Sequence, residues 1–280
     1  MVVLEETGGF MEKPLISNLD ILKKNIVKDW DFWLVVDGLE RTGKSTLAIQ
    51  VGKYLDPSLD LKRICFTPEQ FDRAIDDAPK YSCVIWDEAV TGAESIDLTK
   101  MAVTLKRKAV QIGQKNLFII LVIHSFFELK KYYAIHRTWF LLHTDWMPNK
   151  RNDLMDRGNF AFYDFQKKKT MYCYDWGRRN FIYTGKPNFK GHFPKKLPID
   201  DAEYRKKKLD AISKKAEGMP ELVFAKECIK RGIGIPMLLK YCSLSDTYLY
   251  SIKKELELIT PQTSPIKVIK EEKVIKEDAE

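Results

Sequence analysis

The chain has 280 residues, of which 45% are hydrophobic and 31% charged, and its net charge is +8. This length allows one sizeable core with small appendages, while the longest apolar run, the seven residues "LFIILVI", is far too short to cross a membrane. The start of the chain lacks a signal-peptide pattern, which favours a cytoplasmic protein. The five cysteines are scattered, which suits reduced thiols better than a disulfide framework or a zinc site.

Strands and helices alternate along the first half of the chain. The predicted strands are, in order, "FWLVV", "RICF", "CVIWDEA", "LFIILVIHS" and "TWFLLH". The predicted helices are residues 17–30, "STLAIQVGKYL", "TPEQFDRAIDDA", residues 94–112 and a segment around 126–134. Thr67 as N-cap, Pro68 at the first helical position and Gln70 closing a capping box mark the start of the third helix. The alternation predicts an α/β core over residues 1–149, a parallel sheet with helices on both faces.

The stretch "VVDGLERTGKSTLA" lies between the first strand and its helix and has the spacing GxxxxGKS, which is typical of a phosphate-binding loop. Its backbone N–H groups and the helix N-terminus would surround phosphate oxygens. Lys44 would reach the β- and γ-phosphates of a nucleotide, Ser45 would ligate Mg²⁺, and Thr46 would touch the α-phosphate. The predicted nucleotide-binding residues are Gly38, Leu39, Glu40, Arg41, Thr42, Gly43, Lys44, Ser45 and Thr46. The alternative is an ordinary glycine-containing turn between a strand and a helix.

Two further strands end in polar residues that suit the same site. The strand "CVIW" is followed by Asp87 and Glu88. In P-loop proteins, an acid at this position holds Mg²⁺ opposite the loop hydroxyl, a role predicted for Asp87, and Glu88 would orient and deprotonate the attacking water. The next strand ends in His124 and Ser125, either of which is a candidate for contact with the γ-phosphate or the lytic water. The competing interpretation of Asp87 and Glu88 is a strand end exposed to solvent. For His124 and Ser125 it is a turn or capping role.

Residues 150–217 form a basic, aromatic-rich extension with 18 Lys or Arg against 9 Asp or Glu. The stretch "NFAFYDFQKKKTMYCYDW" within it predicts a β-hairpin around "QKKK". Such a segment could run along a nucleic-acid backbone with its aromatic rings available for stacking. The alternative is a solvated basic face with aromatic side chains that fill a core.

A small helical module is predicted over 218–258, followed by a charged tail over 259–280. The helices "ELVFAKECIKRG", "PMLLKYC" and "DTYLYSIKKELEL" resemble a helix-turn-helix, whose recognition helix enters the DNA major groove. The predicted core residues are Leu239, Cys242, Leu244, Leu249 and Ile252. The predicted outward residues are Thr247, Tyr248, Tyr250, Ser251, Lys253 and Lys254. The rival is a module that binds another protein or subunit.

With its GxxxxGKS loop, Asp-Glu strand end and following polar strand tip, the chain resembles P-loop ATPases of the additional-strand, catalytic-glutamate division. Within it, "LKRKAVQIGQKNLFIILVIHSFFELKKYYAIHRTWFLL" resembles FtsK/HerA-type DNA-pumping ATPases, to which viral packaging ATPases and Zot-like phage proteins are similar. The resemblance covers about residues 30–145 and implies a RecA/FtsK-like core. It also implies a homo-oligomeric ring in which an arginine enters the neighbouring site, with Arg107 and Arg137 as candidates. The His124-Ser125 tip departs from the glutamine usual in that family.

Together these features predict an ATP-hydrolysing motor acting on DNA, for translocation or genome packaging in a virus or mobile element. Whether the DNA is single- or double-stranded stays open at this point, and the helical module or tail could bind a protein partner. The alternatives are a replication initiator or loader, a Zot-like assembly ATPase, a small P-loop kinase, and a DNA-binding regulator switched by ATP.

Overall fold

The computed structural model describes residues 2–4, 9–87, 95–149, 154–217, 220–239, 241 and 246–259. In these ranges the strands are β1 (Val2–Leu4), β2 (Gly9–Met11), β3 (Phe32–Gly38), β4 (Ile64–Cys65), β5 (Cys83–Trp86), β6 (Phe118–Val122), β7 (Thr138–Asn149), β8 (Leu154–Tyr163) and β9 (Phe189–His192). The helices are α1 (Lys13–Ile26), α2 (Lys44–Leu55), α3 (Pro68–Asp77), α4 (Ser95–Gln114), α5 (Phe165–Cys173), α6 (Asp175–Arg179), α7 (Asp201–Glu217), α8 (Pro220–Lys230), α9 (Ile235–Leu238) and α10 (Asp246–Ile259). By its internal contacts the chain divides into a unit over Met1–Ala211 and another over Ile212–Glu280.

Most of the described strands belong to one mostly parallel sheet in the first unit. Its strand order is β4-β5-β6-β3-β7-β8-β9. The strands from β4 to β7 pair in parallel, and β8 and β9 continue the sheet antiparallel. All seven residues of β3 are buried, as expected for a strand in the middle of a covered parallel sheet. The predicted α/β class and its parallel core strands are confirmed.

Helices cover both faces of this sheet, as predicted. Alternate side chains of a strand point to opposite faces, and β3 shows this in its contacts. Trp33 and Val35 belong to a core cluster with side chains of α3, α4 and α5. Leu34 and Val36 belong to a second cluster with side chains of α1 and α2. The sheet is therefore the middle layer, and the carboxyl ends of its parallel strands meet at one edge.

The predicted start of α3 is confirmed, whereas the bounds of α1 differ from the prediction. The Thr67 hydroxyl accepts a hydrogen bond from the Gln70 amide at 3.2 Å, and the Gln70 side chain in turn accepts one from the Phe66 amide at 2.8 Å. α1 begins at Lys13, before the predicted 17, and ends at Ile26. The positive φ of Asp29, 67°, shows that the backbone is no longer helical there.

The predicted β-hairpin around "QKKK" is wrong, because this stretch lies in α5. The strand β8 ends at Tyr163. Asp164 then caps α5, because its side chain accepts a hydrogen bond from the Lys167 amide at 2.9 Å. Antiparallel pairing instead joins β7 to β8, with Leu141 opposite Tyr163. The first aromatic residues of the extension, Phe160, Phe162 and Tyr163, therefore belong to a strand of the main sheet.

The helix predicted around 126–134 is also wrong in type. The backbone makes a 3₁₀ turn over Phe126–Glu128, becomes extended at Leu129 (φ −63°, ψ 139°), and turns again in a π-helical segment over Tyr133–Arg137. Phe126, Phe127 and Leu129 are all buried in one core cluster. A continuous helix presents only one stripe to a core, and the break allows these neighbouring apolar side chains to be buried together.

Lys168 in α5 is fully buried, which is unusual for a lysine. Its Nζ donates to the Ala134 carbonyl at 2.6 Å and lies 4.7 Å from the centre of the Phe165 ring. Burial lowers the pKa of Lys168 from 10.5 to about 7. Because the folded state disfavours the charged form, this lysine destabilises the fold increasingly as the pH falls from 10.5 towards 7.

We expect Lys168→Met to stabilise the chain by about 1–3 kcal/mol at pH 7, because a buried charge is replaced by an apolar side chain. The Ala134 carbonyl keeps a hydrogen-bond donor after the substitution, because the Thr138 hydroxyl also donates to it at 3.1 Å. In urea denaturation, the difference in free energy of unfolding between Lys168→Met and the wild type should shrink as the pH rises towards 10. The exposed neighbour Lys169 supplies the control, Lys169→Met, which should change little at either pH. A destabilised Lys168→Met variant would contradict this interpretation.

The unit over Ile212–Glu280 has a small apolar core of its own. Its buried side chains are Ala225, Cys228, Ile235, Leu238, Leu249 and Ile252. Leu249 and Ile252 were predicted there, but Leu239 is exposed, because α9 is a single turn ending at Leu238 and does not extend through "PMLLKYC". Cys242 and Leu244 lie outside the described residues. Across the described ranges, no helix combines the length and apolar character needed to cross a membrane.

Candidate nucleotide-binding site

The GxxxxGKS stretch connects β3 to α2 at the carboxyl edge of the sheet. Gly43 is left-handed (φ 101°, ψ 22°) at the N-cap of α2, and the Gly38 amide at the end of β3 donates to the His124 carbonyl at 3.2 Å. The Lys44 Nζ donates to the carbonyls of Gly38 and Leu39 at 2.9 Å and 2.7 Å. The loop therefore curls around its own lysine, which brings a cation beside the N-terminus of α2, where anions bind well.

Hydroxyl groups attach the loop to the neighbouring strand β7. The Thr42 and Thr144 hydroxyls lie 2.7 Å apart, and the Thr144 hydroxyl donates to the Asp37 carbonyl at 2.9 Å. Thr42 and Thr144 are both buried. These contacts hold the loop against the sheet, so that its backbone is positioned before a ligand binds.

Ser45 and Asp87, predicted together as Mg²⁺ ligands, lie in direct contact. The Ser45 hydroxyl donates to Asp87 Oδ1 at 3.0 Å. On the other carboxylate oxygen, the Tyr204 hydroxyl of α7 donates a hydrogen bond, and the Lys208 Nζ lies 3.8 Å away. A hydroxyl and a carboxylate are the hard oxygen donors that Mg²⁺ prefers, usually with phosphate oxygens and water as its other ligands. The described residues contain no cluster of three or more His, Cys, Asp or Glu able to hold a metal.

A cleft of about 460 Å³ opens over this pair. Its charged lining residues are Glu40, Arg41, Lys44, Asp87, Arg157, Asp201, Arg205 and Lys208. Cations thus outnumber anions in the lining, which favours an anionic ligand. The volume lies within the range of small-molecule sites. Arg157 comes from β8 and Arg205 from α7, so the extension beyond residue 150 forms part of the cleft wall.

A buried hydrogen-bond network lies directly beneath the loop, centred on Asp37. One oxygen of its carboxylate accepts from the Phe126 amide at 2.7 Å and from the Tyr183 hydroxyl, and the other lies 2.9 Å from His143 Nδ1. The Tyr183 ring stacks on the His143 ring with centroids 3.8 Å apart. Burial raises the pKa of Tyr183, and the nearby charge of Asp37 raises it further, so the phenol remains a donor.

The two residues predicted at the tip of β6 have different surroundings. His124 lines the cleft together with Lys44 and Asp87. The Ser125 hydroxyl instead lies 3.2 Å from the Tyr183 hydroxyl and accepts a hydrogen bond from the Phe127 amide at 3.3 Å. Of the pair, His124 is therefore positioned to meet a ligand in the cleft. Glu88, the predicted base, lies outside the described residues.

The two arginines predicted to act in a neighbouring subunit both form ion pairs within this chain. Arg137 pairs with Asp31 at 2.8 Å and lies over the Trp33 ring, at the opposite end of β3 from Gly38. Arg107 on α4 pairs with Asp72, and 60% of its side chain is exposed, against 22% for Arg137. Arg107 is thus the more accessible of the two to another molecule. Both assignments stay predictions.

Several site residues were not predicted from the sequence, and only one of them carried a local signal. Asp37 is an acid at the end of a buried apolar strand, next to the first glycine of the loop, and its position in "VVDG" could have drawn attention. Arg157, Tyr204 and Lys208 lie in a region of many cations and aromatics, where nothing in the local pattern distinguishes them.

A scan against protein-family models and a search of curated proteins found no match to this chain.

Proposed function

We propose that this chain binds and hydrolyses ATP with Mg²⁺. The observation that carries the proposal is the 3.0 Å contact between Ser45 and Asp87, at the mouth of a glycine-containing loop and beneath a cation-rich cleft. Residues 42 positions apart in the sequence meet at the point where a P-loop hydroxyl and a strand-end acid would share a metal ion. The strand order supports the proposed division of P-loop ATPases, because β6 lies between β3 and the acid-bearing β5.

The proposed roles follow from the lining of the cleft. The loop amides and Lys44 would bind the phosphates, and Ser45 and Asp87 would hold Mg²⁺, which would supply charge neutralisation. Glu88 would orient the attacking water and accept its proton. His124 would contact the γ-phosphate, and Arg157 adds a cation from the same chain that can stabilise charge on the transferring group.

We further propose that hydrolysis drives movement along DNA, in translocation or genome packaging, by a homo-oligomeric assembly in the cytoplasm. The basic extension supplies positive charge for a phosphate backbone. In the second unit, the α10 residues proposed to face DNA are all exposed: Thr247, Tyr248, Tyr250, Ser251, Lys253 and Lys254. An assembly is proposed because a single P-loop unit cannot form the two-lobed cleft of a monomeric helicase. Arg107 is the preferred candidate for the arginine that enters the neighbouring subunit's site.

The proposal is tested by the rate of phosphate release from ATP, measured with the purified chain alone and with single- or double-stranded DNA. We expect DNA to raise the rate and Glu88→Gln to abolish hydrolysis in every condition, because the substituted amide cannot accept the proton of water. Hydrolysis that is indifferent to DNA would contradict the motor and favour an assembly ATPase driven by a protein partner. Phosphate transfer to a second small molecule would favour the kinase.

A further inference from the structure

A cluster of exposed apolar side chains follows α5, outside the nucleotide cleft. It consists of Tyr174, Trp176, Phe181 and Ile182, which are 49%, 58%, 53% and 40% exposed, and we name it the aromatic platform. The Tyr174 and Trp176 rings lie side by side, with centroids 6.3 Å apart. Single exposed apolar residues are common, but four large ones within nine positions of the chain, three of them aromatic, are typical of an interaction surface.

The platform is held in a defined conformation. The Ile182 amide donates to the Gly177 carbonyl at 2.8 Å, and a side chain at Gly177 would meet the Tyr174 ring at 2.8 Å. Phe181 has a positive φ of 55°, which a bulky residue rarely adopts, and its ring packs against Phe127. The backbone thus presents Phe181 at the surface in a sparsely populated conformation, a feature that clusters at functional sites.

The surroundings of the platform are basic. Residues 165–190 contain six Lys or Arg besides the buried Lys168, and a single acid, Asp175. Arg178 and Arg179 follow Trp176 closely in the sequence and share Asp175 as ion-pair partner, so the positive charge of the group exceeds the negative. This charge is complementary to a phosphodiester backbone.

We propose that the aromatic platform binds single-stranded DNA, with bases stacked on its rings and phosphates contacted by Arg178 and Arg179. In a duplex the faces of the bases are covered by their neighbours, and only a single strand offers them to aromatic side chains. The inference rests on the proposed action on DNA and adds a surface for its single-stranded form. The chain leads from the platform directly to the network beneath the phosphate loop, because Tyr183, which follows Ile182, donates a hydrogen bond to Asp37.

Fluorescence anisotropy of a labelled twenty-nucleotide oligo(dT) and of a duplex of equal length, titrated with the full chain without nucleotide, tests the proposal. The wild-type chain should bind the single strand, and Trp176→Ala should leave duplex binding unchanged, because the α10 residues proposed to face DNA are not part of the platform. Trp176→Ala should weaken single-strand binding about 10-fold, and Trp176→Phe should retain most of it, because a ring is kept. The control Tyr132→Ala removes another aromatic side chain, 56% exposed, and should leave the affinity unchanged.

Arg179→Gln gives a second readout that does not remove a ring, and serves if Trp176→Ala fails to fold. It should reduce the slope of log affinity against log salt by about 0.7, because one phosphate contact is lost on a single strand. Unchanged single-strand affinity in folded Trp176→Ala, or unchanged affinity and slope in Arg179→Gln, would overturn the proposal. So would a wild-type chain that does not bind oligo(dT), in which case the surface fits a protein partner.

The same preparation separates this inference from the proposed function. If the chain hydrolyses ATP but its DNA binding is insensitive to the platform variants, the platform assignment fails and the ATPase stands. If single-strand binding depends on Trp176 and the chain does not hydrolyse ATP, the platform stands and the motor fails.

Discussion

Replacing Lys44 with alanine is expected to lower ATP hydrolysis about 100- to 1,000-fold, the range typical of removing one preorganised charge-stabilising group. Lys44 Nζ lies between the carbonyls of Gly38 and Leu39, inside the curve of the loop where the β- and γ-phosphates would bind. Alanine removes the charge without altering the helix, because it is the best helix former. Phosphate release at saturating Mg²⁺ and ATP measures the effect.

The matched control is Lys53→Ala, which removes a lysine from the last turn of the same helix α2. Lys53 donates to the Pro57 carbonyl at 3.1 Å and does not line the cleft. Its replacement should leave hydrolysis within about twofold of the wild type, since surface substitutions usually have small effects. Equal rates in the two variants would mean that Lys44 has no role in phosphate binding.

Gly38→Ala is expected to destabilise the chain by about 2–5 kcal/mol, by combining backbone strain with a clash. Gly38 has φ 129°, and a Cβ there would lie 2.0 Å from the Thr144 carbonyl oxygen and 2.7 Å from its hydroxyl. Since the Thr144 backbone is part of β7, the neighbouring strand would have to move. Urea denaturation followed by circular dichroism measures the change.

Gly185→Ala separates the two causes. Gly185 also has a positive φ, 93°, but a Cβ there would meet nothing within 4 Å. This variant should lose only about 1 kcal/mol, the strain of a left-handed backbone at a residue with a side chain. Similar losses in both variants would show that the approach of β7 to the loop is not what requires glycine at position 38.

Local patterns in the sequence predicted the elements whose signal is itself local. The Thr67 cap and the apolar strands appear in the structure where the residues indicated them, and the GxxxxGKS stretch connects β3 to α2. The "QKKK" hairpin failed for a local reason as well, because Asp164 is an N-cap and the period-2 pattern stops before it. Because Asp164 caps a helix at this point, the "QKKK" stretch is helical and does not form the expected turn.

The parts of the site that were missed depend on contacts between distant residues. Tyr204 reaches Asp87 across 117 positions, and Tyr183 reaches Asp37 across 146. Such pairs form because the extension returns over the carboxyl edge of the sheet. Gln50 on α2 donates to the Pro194 carbonyl at 2.8 Å, which fixes that return. A single sequence records the tyrosines but not which carboxylate each one meets.

Calorimetric titration of the purified chain with ATP, with and without Mg²⁺, tests the central claim most directly. The arrangement of the loop, Ser45 and Asp87 predicts one ATP bound per chain, with affinity that rises when Mg²⁺ is present and falls sharply in Asp87→Ala. Absence of ATP binding by the folded wild-type chain, or binding that is the same with and without Mg²⁺ and in Asp87→Ala, would contradict it.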